Sequence, residues 1–360
     1  MTDKRLQYRT FHAAIGLALA TTLITATAPA GAQDAPPEQP VGEAPEESPQ
    51  APQVVFSDRG VRGLLTPAGT TVIEPSFAYT HSSSTAVAIE GFTILPALVV
   101  GLINVAQVQR DSYIAAVSAR HGIGGRWEAE IYLPYVYRDE ATRQRDILDG
   151  SSADFISDTE GHGIGDVEAS LRYQINSGAG GGPVFIANLR AKSDTGEGPF
   201  DVERGTIFSD DGVRLTDVFQ EQPTGSGFWG VQPSVTAIYT TAPAVLYGSL
   251  SYFWNIERDV GGETGKVDPG DAVGLSMGIG FAINQRTSFS LGYEHNTVFK
   301  TRVENDNGLD ALFERIQVGS FLLGVSMATS SKRSWNLSLA VGATDAAADV
   351  QLTLRVPTNL

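Results

Sequence analysis

From Gly165 to Asn176 the chain alternates strictly: Val167, Ala169, Leu171, Tyr173 and Ile175 are apolar, and Glu168, Ser170, Arg172, Gln174 and Asn176 between them are polar. Successive side chains of a strand point to opposite faces, so this stretch predicts a strand with one greasy and one charged face. A water-soluble antiparallel sheet can use the same pattern with its apolar side inward. The recurrence and spacing of the pattern decide between the two.

It recurs along most of the chain. Strands are predicted at about Thr71–His81, a stretch ending near Gly122, Arg126–Tyr137, Gly165–Asn176, Val184–Lys192 and Trp229–Thr240. Six more follow, around Leu246–Asn255, Val273–Ile283, Ser288–Glu294, Ser320–Met327, Trp335–Val341 and Asp349–Val356. Most are near the roughly 9–11 residues a tilted strand needs to cross a membrane. The links between them alternate in length. Tight ones (Gly122–Gly125, Ser177–Gly182, Thr241–Pro243, Asn284–Arg286, Thr329–Lys332) separate long ones (Ser82–Arg110, Arg138–Gly163, Ser193–Phe228, Ile256–Asp271, Asn296–Glu314). Short periplasmic turns and longer outer loops are the arrangement of an outer-membrane barrel. The pattern therefore predicts an all-β chain, a transmembrane antiparallel β-barrel of about twelve strands over residues 70–360, with both termini in the periplasm. Trp127, Tyr173, Tyr239, Phe281 and Trp335 fall beside the short turns, and Tyr79, Tyr113, Tyr137, Trp254 and Tyr293 nearer the long loops. Two aromatic belts at the two membrane interfaces follow. In lipid no sheet edge can stay unpaired, so the strands are expected to close on themselves. Gly91–Val108, apolar almost throughout and interrupted by Pro96 and Gly101, is expected to extend the first two strands as a long hairpin.

The chain opens with Lys4, Arg5 and Arg9, an apolar run from about Ala13 to Ala26, and Ala30-Gly-Ala32. That order predicts a secretory signal peptide over residues 1–32. Residues 33–69 form a Pro- and Glu-rich periplasmic tail and a lead-in to the barrel. The tail has too little apolar content to order itself, and the lead-in, with Arg59 and Arg62, is placed to tuck into the pore mouth. The formal net charge of −16 argues against nucleic acid as a partner. The absence of cysteine excludes a lipoprotein anchor and a disulfide scaffold.

By phase, the inward face carries Glu74, Arg120, Glu128, Glu130, Glu168, Arg172, Arg190, Lys192, Glu294 and Arg355, with Arg138 beside them. Acids on the third strand face bases on the fifth across the mixed fourth, so lateral pairs across the wall are expected. These residues are the candidate pore lining: they either polarise a water-filled bore that selects solutes by charge and size, or brace a narrow one. For catalysis, His295 near the outer rim is the candidate base of a lipid-acting enzyme, but no serine motif accompanies it. No cysteine and no paired histidine spacing argues against a metal site. The loop acids Asp210, Asp211, Glu304 and Asp306 read as solvated charge, and no cofactor motif is present.

Three stretches carry a family resemblance: Gly69-Thr-Thr-Val-Ile-Glu-Pro-Ser76, Arg126-Trp-Glu-Ala-Glu-Ile-Tyr-Leu-Pro-Tyr135 and Gly163-Ile-Gly-Asp-Val-Glu-Ala-Ser-Leu-Arg-Tyr173. The chain from about residue 60 to 356 resembles the outer-membrane barrel family labelled "MetA-pathway of phenol degradation", described as transporters. The resemblance implies a channel for small solutes, hydrophobic or aromatic compounds among them, with outer-membrane lipid and the barrel assembly machinery as partners. That family is similar to the barrel that exports functional-amyloid subunits, so an export gate for an unfolded polypeptide is the alternative. The chain departs from the pattern at its end: barrel assembly signals usually finish on an aromatic, whereas here Val356 precedes Pro-Thr-Asn-Leu360.

Overall fold

The computed structural model describes residues 65–83, 89–90, 93–94, 107–145, 154–178, 181–208, 214–261, 264–304, 310–312 and 315–360. The signal peptide, the acidic tail through residue 64, Asp210, Asp211, Asp306 and most of Gly91–Val108 lie outside the described residues. Of that last stretch, Thr93–Ile94 pairs with Ile89–Glu90 and residues 107–108 belong to a barrel strand.

The alternating segments form one closed antiparallel sheet of twelve strands. In chain order these are β1 (Thr71–Ser82), β2 (Gln107–Gly124), β3 (Trp127–Arg145), β4 (Asp154–Ile164 and, after a break, Glu168–Gln174), β5 (Val184–Lys192) and β6 (Gly230–Thr241). They continue as β7 (Ala244–Asn255), β8 (Ala272–Ala282), β9 (Thr287–Val298), β10 (Ile316–Ala328), β11 (Ser334–Gly342) and β12 (Val350–Arg355). Each strand pairs with its sequence neighbour, and β12 returns to β1 with Ser76 opposite Arg355 and His81 opposite Val350. Beyond Pro357 the last residues rejoin the wall, Thr358 and Asn359 lying opposite Ile73 and Val72. The Leu360 amide donates to the Thr71 carbonyl at 2.9 Å, so the barrel begins and finishes at its short-turn end.

The barrel is inverted relative to a soluble one. On β3, Glu128, Glu130, Tyr132, Val136, Arg138 and Glu140 are buried, while Ile131, Leu133, Tyr135 and Tyr137 are exposed. The exposed outer face includes Leu250 and Phe321, each 58% accessible, and Ile131 at 55%. Such a surface is stable only in lipid, and the fold is a transmembrane β-barrel. The aromatic belts are in place. Trp127 and Tyr173 lie 4.6 Å apart at the short-turn end, and Tyr79, Tyr113 and Tyr137 form a ladder with centroid spacings of 5.1 and 6.0 Å toward the loops. Leu250 lies midway along β7 between these levels. Leu250→Arg is expected to destabilise the barrel by about 2–4 kcal/mol, visible as a lower midpoint of heat-induced mobility shift in electrophoresis.

Two features differ from the periodicity reading. β2 and β3 run longer than expected, and the outer half of β4 occupies what reads as loop. There Tyr135 to Arg145 pair with Ile164 to Asp154. Past Tyr137 both faces carry polar residues, such as Arg138 and Glu140 inside and Asp139 outside, so no apolar–polar alternation marks the strand. Above the lipid a strand has water on its outer face and needs no greasy side. The long connections are also structured. Arg204–Phe208 pairs with Arg214–Phe219, and Arg258–Gly261, Gly265–Asp268, Arg302–Glu304 and Asp310–Leu312 make a small sheet. Its apolar side packs Val267 and Val303 on Phe228, with Phe200 and Val260 at the margin. Outside the membrane the chain reverts to an apolar-inside core.

Candidate functional site

The inward face of β1–β5 is where the charged candidates meet. Cross-strand register sets Glu128 opposite Arg172 and Glu130 opposite Ser170, which puts the Arg172 guanidinium between two carboxylates. Its Nη1 donates to Glu128 Oε1 at 2.5 Å and its Nη2 to Glu130 Oε2 at 2.6 Å. All three side chains are buried. Arg120 reaches Glu74 Oε2 at 3.2 Å, and Arg190 lies 3.7 Å from Glu168 while donating to Gln232 on β6. Acids and bases thus neighbour one another around the wall from β1 to β5, with Gln232 of β6 ending the row. A guanidinium fork suits this geometry because it serves two carboxylates at once.

Lys192 stands at the outer end of β5 and is 1% exposed. Its ammonium donates to Asp166 Oδ2 at 2.9 Å, to the Phe228 carbonyl at 2.6 Å and to Ser226 Oγ. Asp166 occupies the break in β4 and also accepts from the amides of Gly196 (3.1 Å) and Ser226 (2.9 Å) and from Ser226 Oγ (2.7 Å). Every donor but Lys192 comes from the β5–β6 connection, so Asp166 fastens that connection to the wall. The same connection crosses the inner side of β4. Gly161 and Gly163 lie opposite Arg138 and Val136, on the face that points inward. A side chain at Gly161 would collide with the Gln222 backbone, and one at Gly165 with Val136 and Pro134. Arg138 donates to the Pro223 carbonyl, Gln222 Nε2 to Thr159 Oγ1 at 2.8 Å, and Thr224 Oγ1 to the Ile164 carbonyl at 3.1 Å. The spaced glycines are therefore a groove for residues 222–225.

The opposite wall is different in kind. β8 to β11 turn Gly274, Ser276, Gly278, Ser288, Ser290, Gly324, Ser326, Asn336 and Ser338 inward, with Ser326 Oγ donating to Asn336 Oδ1 at 2.6 Å. Glu294, on β9, stands apart from the other charged candidates and accepts from Asn296 Nδ2 at 2.8 Å. Arg355 is buried on β12, in register with Ser76 and Asn336.

At the short-turn end the lead-in enters the barrel. The Thr66 amide donates to Glu128 Oε2 at 2.7 Å, and Gly69 N donates to the Gly122 carbonyl at 2.8 Å. Gly122 has to be glycine here, because a Cβ would strike the Thr66 and Pro67 carbonyls. His295, the candidate base, lies on the outer face near the loops. Its Nδ1 faces Tyr293 OH at 3.2 Å and its Nε2 faces Gln317 Oε1 at 2.7 Å, with no serine among these partners. Among the described residues no cluster of histidine and carboxylate groups has the arrangement of a metal site. Asp166, Gln232, Ser226 and the glycine groove are participants that periodicity did not single out. Asp166 has a visible signal only in the run Glu160-Gly-His-Gly-Ile-Gly-Asp166, where three glycines share one phase.

No protein-family model matches the chain. Among solved structures it resembles the COG4313 outer membrane channel from Pseudomonas putida F1, with a TM-score of 0.53 and 14% identity over 82% of this chain and 97% of that one. The translocator domain of the autotransporter NalP from Neisseria meningitidis gives a TM-score of 0.40 at 10% identity, covering 82% of this chain and 88% of that one. The Ralstonia pickettii toluene transporter TbuX gives 0.39 at 10% identity, covering 82% and 90%.

Proposed function

We propose that this protein is an outer-membrane channel of a Gram-negative cell that lets small solutes, hydrophobic or aromatic ones among them, cross passively. The carrying observation is the closed, inverted barrel whose interior sets an ion-paired wall on β1–β5 against a wall of mostly small, uncharged residues on β8–β11, with Glu294 of β9 as its charged member. The shared barrel fold of an outer-membrane channel agrees with this reading. Charge enters selectivity through Glu74, Arg120, Glu128, Glu130, Glu168, Arg172, Arg190, Lys192, Glu294 and Arg355. Paired charges keep the bore polar while leaving no large single-sign field, and the small-residue wall gives an apolar solute a surface that does not bind it tightly. The chain is delivered by its signal peptide, inserted by the barrel assembly machinery, and oriented with both termini in the periplasm.

Single-channel recording in a planar bilayer tests the proposal, with steady openings as the expected result. The double variant Glu128→Gln, Glu130→Gln leaves the Arg172 charge uncompensated. Its reversal potential in a salt gradient is expected to move toward that of anions. An unchanged reversal potential in a folded, conducting barrel would remove these two residues from the selectivity assignment.

A further inference from the structure

Three inward positions at the short-turn end break the phase of their strands. Ile186 shares the inner face of β5 with Asn188, Arg190 and Lys192. Ile238 shares that of β6 with Gln232, Ser234 and Thr236, and Tyr247 that of β7 with Ser249 and Ser251. The three strands are adjacent, and Ile238 lies directly opposite Tyr247 and Val184. Ile186, Ile238 and Tyr247 form a buried apolar cluster, with Val184 and Val245 at its margin. The Tyr247 ring extends across β8 to β9, where added side chains at Gly278 or Gly292 would meet its hydroxyl. An apolar patch facing a lumen is costly in water, and this one, at the short-turn end, is covered by Leu65 of the lead-in.

Leu65 is held there by its backbone neighbours more than by its own side chain. Thr66 N donates to Glu128 Oε2 at 2.7 Å, and Ala68 and Thr70 bridge to Gly122. The anchors are a few hydrogen bonds to β2 and β3, while the apolar cluster lies on β5 to β7, so Leu65 is a single side chain set against strands its backbone does not bond to. We infer that Ile186, Ile238 and Tyr247 form a lumenal subsite for the apolar group of a passing solute, and that Leu65 is its resident occupant. Solute and Leu65 compete for the same surface, so a solute arriving from the loop end displaces Leu65 and opens the short-turn end for its own release. This rests on the channel reading above and adds a binding site and a self-ligand to it.

The chain has no cysteine, so Leu65→Cys in the full-length protein gives a single reporter. Its labelling by a charged, membrane-impermeant methanethiosulfonate should be slow in the resting channel. Toluene, used as the apolar probe, should accelerate it about tenfold, as expected for a ligand that favours the displaced state by that factor. The same barrel carrying Leu65→Asp, whose carboxylate cannot rest on an apolar cluster, should open about ten times as often in bilayers. A labelling rate indifferent to toluene, or Leu65→Asp openings like those of the unsubstituted channel, overturns the inference and leaves the channel reading intact. Silence from both folded barrels overturns the channel reading, and the subsite with it.

Discussion

Arg172→Met is expected to destabilise the barrel by about 3–5 kcal/mol, because it leaves two buried carboxylates facing each other without their shared cation. The side chains concerned are only a few per cent exposed, and Arg172 bonds to both acids at 2.5 and 2.6 Å. The loss should appear as a lower midpoint for conversion of the compact to the unfolded band on heating, or as a lower urea midpoint in detergent. Adding Glu128→Gln and Glu130→Gln to Arg172→Met should restore most of it, since no unpaired buried charge then remains. That reversal separates an electrostatic role from simple loss of packing, which the triple variant would leave unrepaired. Any conducting Arg172→Met channel should favour cations, the opposite sign to the double glutamine variant.

Asp166→Ala is expected to release the β5–β6 connection from the wall at a cost of about 3–5 kcal/mol, the range for breaking a buried ion pair by removing one partner. Lys192 would keep the Phe228 carbonyl and Ser226 Oγ but lose its only carboxylate partner among the described residues. The amides of Gly196 and Ser226 would lose their acceptor as well. Limited trypsin digestion of whole cells offers the readout. Arg204 and Arg214 lie in the same connection, and cleavage there should be several-fold faster in Asp166→Ala, following the raised population of the open connection. Asp166→Asn retains an acceptor oxygen and should fall between the two. Equal cleavage in all three would show that Asp166 does not hold the loop.

The wall of the barrel was legible because lipid imposes one rule on every strand. Val273 to Ile283 or Trp335 to Val341 cannot be misread when one face must be greasy and the other wet. The strand count, the alternation of turn lengths and the expectation of lateral charge pairs across the wall follow from that phase; that Arg172 is the partner of both Glu128 and Glu130 needs the register. Legibility stops where the rule stops. Above Tyr137 the strands continue with polar residues on both faces, so Asp154–Ile164 carries no period to detect. Loop packing depends on tertiary fit, as with Phe228 on Val267 and Val303, and a single apolar residue in a connection does not announce its partner. Asp166 escaped for a related reason. It sits in the break of β4, in neither phase, and its value comes from donors some thirty and sixty residues further along the chain. Ile186, Ile238 and Tyr247 were visible as phase errors, but their shared level on three neighbouring strands becomes apparent only once the register is known.

Closure through the last residues carries a consequence for how the molecule is made. β12 and the residues that follow it bridge β11 and β1, and the pairs Ser76–Arg355 and Val72–Asn359 join residues separated by nearly the whole folded chain. Every other neighbouring pair of strands is local in sequence and can zip as a hairpin, whereas this final seam joins residues far apart in the chain and closes last. Until it forms, two unsatisfied edges remain, which a bilayer does not tolerate. Loss of residues 350–360 should accordingly behave as a failure to close, seen as absence of the compact heat-modifiable band, and not as a graded loss of stability.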